Sequence, residues 1–559
     1  MLFFFMFFFN FANGLIWIEP SADLDYNCNQ NQAFQSEVGK TYFRLPPRAQ
    51  SIVRPRIWQL SRHSASISIK FITNSSHIKI QYDRENPNNF AMMNQIGTSG
   101  IDLYGYDENG TIHFFAGTYS FGSRVTFDFS EYNKSVIFSY LLILPSYDVI
   151  KPNTLKIGYE EDSYFKIFET ELEKPITLYG TSIMHGACPN RPGLSWVNWV
   201  SRTLQLPVHN FGFMGQGMLE KEVIDLVMEE EARAFVLDCL PNLVFEPVND
   251  VINLTIEAYK QIRAKWPDTP IILVEFGGYT NYEFSNQYRT YTDNMNTASR
   301  EALKKLQEEY KATNLFYVTQ EELGITSDDI SDPVHPMDNG MQKQTNAIVK
   351  VLREALNMPE SVSHFTTQIP VPQHRNLNFF NDHQKVLKKL NAQTKISENK
   401  VIIGDSFAAG LTDLDGYLNL GMKDDRIENA LYRIYHDEMS NMSPQKIVTF
   451  IGSNNVPIND KTEIVEGIKF LLQQIHARQP EAALAVVGIL PRTGYEETVK
   501  NINLELKSAA EKEGWSFADP GQGLLDGQTG LIDKQYFLED GFNLNSQGYE
   551  VIKPVIAAL

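Results

Sequence analysis

The sequence predicts an α/β chain, with a β-rich N-terminal domain followed by two parallel-sheet units. Three observations carry this expectation. Residues 19–150 hold short runs in which apolar and polar side chains alternate. From Lys174 the pattern changes to apolar runs separated by helix-like stretches. After a proline-punctuated stretch the same alternation returns, over nearly the same length, and continues to Leu559.

Composition bounds the answer before any motif is read. A chain of 559 residues has room for about three or four domains. It carries 49 Lys+Arg against 68 Asp+Glu, a formal charge of −19. Such an acidic chain is not a general nucleic-acid binder, because phosphate contacts need clustered Lys and Arg. With 12% aromatic and 21% charged residues, it is not a mostly disordered chain. Three cysteines, Cys28, Cys188 and Cys239, are too few for a disulfide scaffold or a zinc-finger array.

The chain begins MLFFFMFFFNFANG, and its unbroken apolar run, Met1 to Phe9, is too short to span a bilayer. It fits the apolar core of a signal peptide, with Ala12 and Gly14 where cleavage is possible. No basic residue precedes it, the first being Lys40, so a misplaced start or a buried N-terminal strand competes with that reading. Residues 1–18 are expected to be a leader and the protein to be exported, periplasmic or secreted. No later segment is apolar enough to cross a membrane.

Residues 19–170 are expected to form a β-sandwich. Ser64–Phe71, His77–Tyr82, Thr111–Tyr119 and Arg124–Phe129 read as strands, and Asn109-Gly110 suits a tight hairpin. Within this domain lies Gly100-Ile101-Asp102-Leu103-Tyr104, read from the residues alone as a turn followed by a strand.

Residues 174–357 form the next unit. Ile176–Gly180 is a short strand ending in glycine, followed by Thr181-Ser182 and a helix over Trp196–Leu206. Arg233–Leu240, Pro270–Phe276 and Asn314–Val318 read as further strands, and Thr297–Ala312 as a helix. Ligands of such sheets bind beyond the carboxyl ends of strands, where Ser182 falls. A serine needs a base to become a nucleophile. Asp332-Pro333-Val334-His335 offers a histidine with a carboxylate three residues away to orient it. An oxyanion needs fixed donors. Candidates are the N–H groups of Ser182 and Gly215, the latter in NFGFMGQG, and the side-chain amide of Asn242 in LDCLPN.

The order Ser, Gly, Asn, Asp-x-x-His resembles the SGNH (GDSL-like) hydrolase family. The resemblance is close over Gly180–Gly193, Asn210–Gly217, Leu237–Asn242 and Asp332–Gly340. Gly100–Tyr104 matches the Gly-x-Asp-Leu-Tyr motif of the form that carries an N-terminal β-domain, jelly-roll-like in fold. The resemblance implies flavodoxin-like three-layer α/β/α units. It implies Ser182 as nucleophile, Asp332 and His335 as its partners, and Ser182, Gly215 and Asn242 as oxyanion donors. It implies deacylation of esters, often acetyl esters of carbohydrates, with no metal or organic cofactor. Arg191, His185, Asp102 and Tyr104 are candidate substrate contacts. His185 lacks a carboxylate at a comparable spacing and competes as a packing residue, and His209 reads as structural. Cys188 and Cys239 flank the site, as a disulfide pair or as two buried thiols.

Residues 358–375 read as a linker around Gln368–His374, and residues 376–559 as a second unit. A helix over Asp382–Leu390 leads into the strand of Lys400–Phe407, with Gly404-Asp405-Ser406 at its end. Lys446–Gly452 and Ala482–Leu490 follow as strands, and the chain closes with LEDGFNLNSQGY. This unit resembles the platelet-activating-factor acetylhydrolase-like branch of the same family. It keeps Ser406, Asn454 and Asp540 but has Asn543 in place of the histidine and Asp424 in place of the glycine. Asparagine cannot serve as a general base near neutral pH, so this second site is expected to be dead or severely weakened.

The function expected is an exported serine esterase acting on an acylated carbohydrate, without nucleic-acid or stable membrane partners. The competing readings are a non-catalytic glycan-binding or scaffold protein and a lipid or phospholipid acylhydrolase.

Overall fold

The computed structural model describes residues 14–559 apart from 86–89, 108–110, 133–137, 359–364, 374–378, 392–398, 413 and 440–441. The chain divides into two compact units, with the boundary in sequence at residues 359/360. Met1 to Phe9 and the Asn109-Gly110 turn lie outside the described residues.

The first unit opens with two antiparallel sheets. One orders its strands Leu15–Ile18, Lys156–Glu160, Ile78–Asp83, Arg124–Phe129 and Thr118–Ser120. The other orders Phe165–Ile167, Ser68–Thr73, Phe138–Ile143, Asp102–Tyr106 and Ile112–Phe115. Alternate side chains turn inward, as in antiparallel sheets with one solvated face. Ile78, Ile80 and Tyr82 from one sheet meet Ile69, Phe71 and Leu103 from the other in one core.

Three boundaries read from the sequence are corrected here. Leu15–Ile18 pairs antiparallel with Ile157–Glu160, so a leader cannot extend to residue 18 without removing a strand of this sheet. Thr111–Tyr119 is not one strand: Ile112–Phe115 and Thr118–Ser120 belong to different sheets. The chain crosses between them at Gly117, where a Cβ would lie 2.7 Å from the Asp128 carbonyl oxygen. The sandwich also does not claim all of residues 19–170. Ala33, Phe34, Leu45, Ala49, Ile57 and Leu60 are buried in the core of the following parallel sheet.

That sheet is built from β1 (Ile176–Gly180), β2 (Val208–Gly212), β3 (Ala234–Asp238), β4 (Ile271–Val274) and β5 (Leu315–Val318). All pairings are parallel and the order is β2-β1-β3-β4-β5. Every residue of β1 and of β3 is buried, which explains their largely apolar character. Ile176 and Leu178 of β1 face Trp196, Val200, Ile348 and Leu352 on one side of the sheet. Tyr179 faces Val223, Ile256 and Ala298 on the other, giving three layers.

The second unit repeats the plan with β6 (Lys400–Gly404), β7 (Tyr417–Gly421), β8 (Lys446–Phe450), β9 (Ala483–Val487) and β10 (Ser516–Ala518). Its parallel order, β7-β6-β8-β9-β10, is that of the first sheet. The stretch read as a linker is in part built into this unit. Thr367 and Gln373 are fully buried, and they bond to Glu463 and to Lys423 and Asp425.

Candidate active site

The 2-1-3-4-5 strand order reverses direction between β1 and β3, and the crevice beyond their carboxyl ends is the expected ligand site. β1 ends at Gly180, paired with Gly212 of β2 and Asp238 of β3. Ser182, Gly215 and Asn242 lie two, three and four residues past these ends.

Thr181 caps the one-turn helix Ser182–His185, its side chain accepting from the Ile183 N–H. Ser182 is the first residue of that turn, so its N–H has no intrahelical acceptor. Its Oγ lies 2.8 Å from His335 Nε2. His335 Nδ1 lies 2.6 Å from an Asp332 carboxylate oxygen. The other Asp332 oxygen accepts from the N–H groups of Val334 and His335, both at 2.8 Å. Burial pushes the Asp332 carboxyl up, but these hydrogen bonds outweigh it and hold the group at about 2. The aspartate is therefore a fixed anion that sets the ring and its tautomer.

Gly215 sits at φ +64, a left-handed conformation that favours glycine, in the turn closed by the Gln216 N–H on the Phe213 carbonyl. The Asn242 amide donates one hydrogen to the Gln216 carbonyl, tying the two oxyanion candidates to one loop. A primary amide has a second hydrogen to give.

The four candidate substrate contacts are placed differently from expectation. Asp102 is 1% exposed and accepts from Arg191 at 2.7 Å and from the Gly193 N–H at 2.8 Å. Tyr104, also buried, receives a second Arg191 bond at 2.6 Å. A Cβ on Gly193 would lie 2.4 Å from Asp102 Oδ2, so only glycine fits. The Gly-x-Asp-Leu-Tyr segment thus grips the loop after Ser182 instead of facing a ligand cleft, and Arg191 is held by that grip. His185 is 1% exposed, stacked on Tyr147 with ring centroids 4.1 Å apart. Its Nε2 lies 3.0 Å from the Ser146 carbonyl and 3.3 Å from both Arg44 and His63. Burial and the Arg44 charge push its pKa far down, so it is a neutral packing residue. His209, beside Glu230, is structural in the same sense.

Cys188 and Cys239 are free, buried thiols and not a disulfide. Cys239 points at the Tyr179 carbonyl, 3.5 Å away. Cys188 lies on the other side: its Sγ, a carboxylate oxygen of Asp332 and a ring nitrogen of His335 fall within 4.8 Å of one another. Around it pack Phe90, Met92, Met93, Tyr147, Ala187 and Met214. Sequence reasoning missed Arg44, His63 and Tyr147, which brace the nucleophile turn. Tyr147 Oη donates to the Ser182 carbonyl at 3.3 Å.

The second unit reproduces this construction position by position. Ser406 follows Gly404 as Ser182 follows Gly180. Asp424 has φ +63, matching Gly215, and its N–H donates to Ser406 Oγ at 2.8 Å. The backbone donor is therefore preserved although the glycine is not. Asn454 donates to the Asp425 carbonyl as Asn242 does to Gln216. Asp540 accepts from the Phe542 and Asn543 N–H groups at 2.9 and 2.8 Å, and from Asn543 Nδ2 at 2.7 Å. Asn543 copies the contact of His335 to its aspartate while lacking a titratable nitrogen.

Three family profiles match the chain. The GDSL-like lipase/acylhydrolase family matches residues 173–353 and, through a second profile, residues 400–551. The N-terminus of SGNH-hydrolase-type esterases, named for its Gly-x-Asp-Leu-Tyr motif, matches residues 15–165. The chain belongs to the GDSL-like lipase/acylhydrolase family. It carries the family's N-terminal β-domain and two GDSL-like units in tandem. A GDSL-like lipase of Bacteroides ovatus is 25% identical, with a TM-score of 0.57 over 62% of this chain and all of its own. The alpha2 subunit of rat platelet-activating factor acetylhydrolase IB is 39% identical over 75 residues, 13% of this chain and 32% of the subunit. The bovine alpha1 subunit is 30% identical over 149 residues, 25% of this chain and 61% of the subunit. The matches thus span about a third to three fifths of these curated relatives.

One carboxyl of the second GDSL-like unit lends itself to a pH test. Asp405 is fully buried, and burial pushes it from 3.8 up to about 7, against hydrogen bonds from the Phe407 and Ser453 N–H groups. The folded state then keeps a proton that the unfolded chain has already lost. Stability from this group is complete below the unfolded pKa, falls as pH rises toward about 7 and levels off above it. Asp405→Asn is expected to flatten the pH dependence of this unit's melting between about pH 4 and about pH 7. An unchanged slope in calorimetric scans would remove Asp405 as its source.

Proposed function

We propose that the first GDSL-like unit is an exported serine esterase that removes acyl groups, acetyl foremost, from a carbohydrate. The observation that supports this reading best is the continuous hydrogen-bonded chain from Ser182 Oγ through His335 to Asp332. His335 Nε2 takes the Ser182 proton as Oγ attacks the ester carbonyl. The N–H groups of Ser182 and Gly215, with the Asn242 amide, receive the charge that develops on the carbonyl oxygen. His335 returns the proton to the departing alcohol, and water, deprotonated by the same ring, cleaves the acyl-serine. In the second unit Asn543 accepts no proton, so Ser406 stays a poor nucleophile. That unit is read as non-catalytic, with glycan binding or support of the first unit as its role.

A second reading, hydrolysis of acetylated phospholipids, draws on the relatives named platelet-activating factor acetylhydrolase. The test offers acetylated xylan, acetylated pectin and a short-chain phospholipid to the same preparation and measures acid release. Carbohydrate turnover at least tenfold above phospholipid turnover is expected, and the opposite ratio selects the lipid reading. A serine-reactive fluorophosphonate is expected to label Ser182 alone, and labelling of Ser406 would end the claim that the second unit is inert.

A further inference from the structure

We propose that Cys188, Asp332 and His335 together form a binding site for a divalent transition metal, zinc foremost, and that its occupation switches hydrolysis off. The second half rests on the esterase reading above, whereas the site itself does not.

The donor set argues for the metal class. One thiol, one imidazole and one carboxylate are the three ligand types that zinc takes, and one carboxylate alone is too few oxygens for calcium. The three donor atoms already lie within 4.8 Å of one another. Ligands of a tetrahedral zinc stand ~3.5 Å apart, so the 2.6 Å contact between Asp332 and His335 opens by about 1 Å on binding.

Charge closes as well. The thiol proton of Cys188 leaves to solvent, and metal bonds form to sulfur, to a carboxylate oxygen and to one ring nitrogen. The imidazole stays neutral and keeps its single proton on the other nitrogen. A dication then meets one thiolate and one carboxylate, so the site carries no net charge. That suits its wall of Phe90, Met92, Met93, Tyr147 and Met214.

Cys188 sits at φ +74, one of thirteen non-glycine residues with a left-handed backbone among the described residues. Its Sγ donates to the Met92 carbonyl at 3.5 Å, lies within hydrogen-bond reach of the Ser331 side chain, and is not tied into a disulfide. Metal capture of His335 removes the base that Ser182 depends on, which makes zinc a reversible off-switch.

Cobalt(II) is the probe, because a cobalt–thiolate bond gives a near-ultraviolet charge-transfer band independent of ester turnover. The full chain is expected to develop that band up to one equivalent of cobalt and lose it to zinc. Cys188→Ser should abolish the band, whereas Cys28→Ser and Cys239→Ser should keep it. If Cys188→Ser folds poorly by circular dichroism, Cys188→Asn, suited to a left-handed backbone, replaces it. Zinc should inhibit ester hydrolysis by the wild type reversibly, with chelator restoring it. Inhibition of the Cys188 variant, relative to its own metal-free rate, should need at least tenfold more zinc. Absence of the band, its survival in the Cys188 variants, or equal zinc sensitivity overturns the site. A cobalt band in a chain that hydrolyses no ester leaves the site standing and overturns the esterase reading instead.

Discussion

Ser182→Ala and His335→Ala are each expected to lower kcat on an activated acetate ester by about 10⁴–10⁶-fold, with little change in KM. The magnitude follows from the geometry. Ser182 Oγ and His335 Nε2 are 2.8 Å apart, so loss of either atom removes the same proton transfer. The double variant should therefore be no slower than the worse single one. A residual rate above that of water should persist, because the Ser182 and Gly215 N–H groups remain to meet the oxyanion. Asp332→Asn should cost less than removal of His335 yet still on the order of 10³–10⁴-fold, since the ring loses its anion and its tautomer. Turnover kept by Ser182→Ala but lost in Ser406→Ala would transfer the chemistry to the other unit.

The largest stability effect is expected in the second unit. Arg433 is fully buried and bonds to Asp425 at 2.8 Å and to Glu438 at 2.5 Å, with His383 on Glu438 at 2.8 Å. Burial pushes Asp425 up to about 7 against the pull of Arg433, while Arg433 and His383 hold Glu438 down. Arg433→Met strips both carboxylates of their shared cation. Breaking a buried charge network by removing one partner costs about 3–5 kcal/mol. In a unit of this size that lowers the melting temperature by about 10 °C. Adding Asp425→Asn and Glu438→Gln should recover much of the loss, because no unpaired buried charge is left. A shift of under about 2 °C in Arg433→Met would show that the network carries little stability.

The central chemistry was legible in sequence because its parts are local. Ser182 lies two residues past the end of a mainly apolar strand, and Asp332 and His335 are three residues apart, so pattern and spacing point to them without knowledge of the fold. The second unit was legible for the same reason, down to Asn543 beside Asp540. Contacts between distant segments left no such trace. Arg44 reaches Gly212 and His185 across more than a hundred residues, and an isolated arginine in a loop has no periodicity to read. Asp102 and Tyr104 misled for a related reason. Polar side chains in a motif suggest a ligand, but their partner is Arg191 of the same chain. The helical segment around Leu45 and Ile57 joined the wrong domain because burial there is decided by a sheet that begins at Ile176.

Arg44 donates to the carbonyls of Asn210 and Gly212, at the end of β2. Arg433 donates to the carbonyls of Leu420, at the end of β7, and Gly404, at the end of β6. Each guanidinium plugs the mouth of its sheet, but one comes from outside the parallel-sheet segment and the other from within it. Residues 365–559 therefore contain the arginine that caps their own sheet. Residues 174–357 do not, because Arg44 lies on the segment that precedes them. The N-terminal segment and the first parallel sheet are thus one structural unit, held by this arginine and by the core that Leu45 and Ile57 share with the sheet.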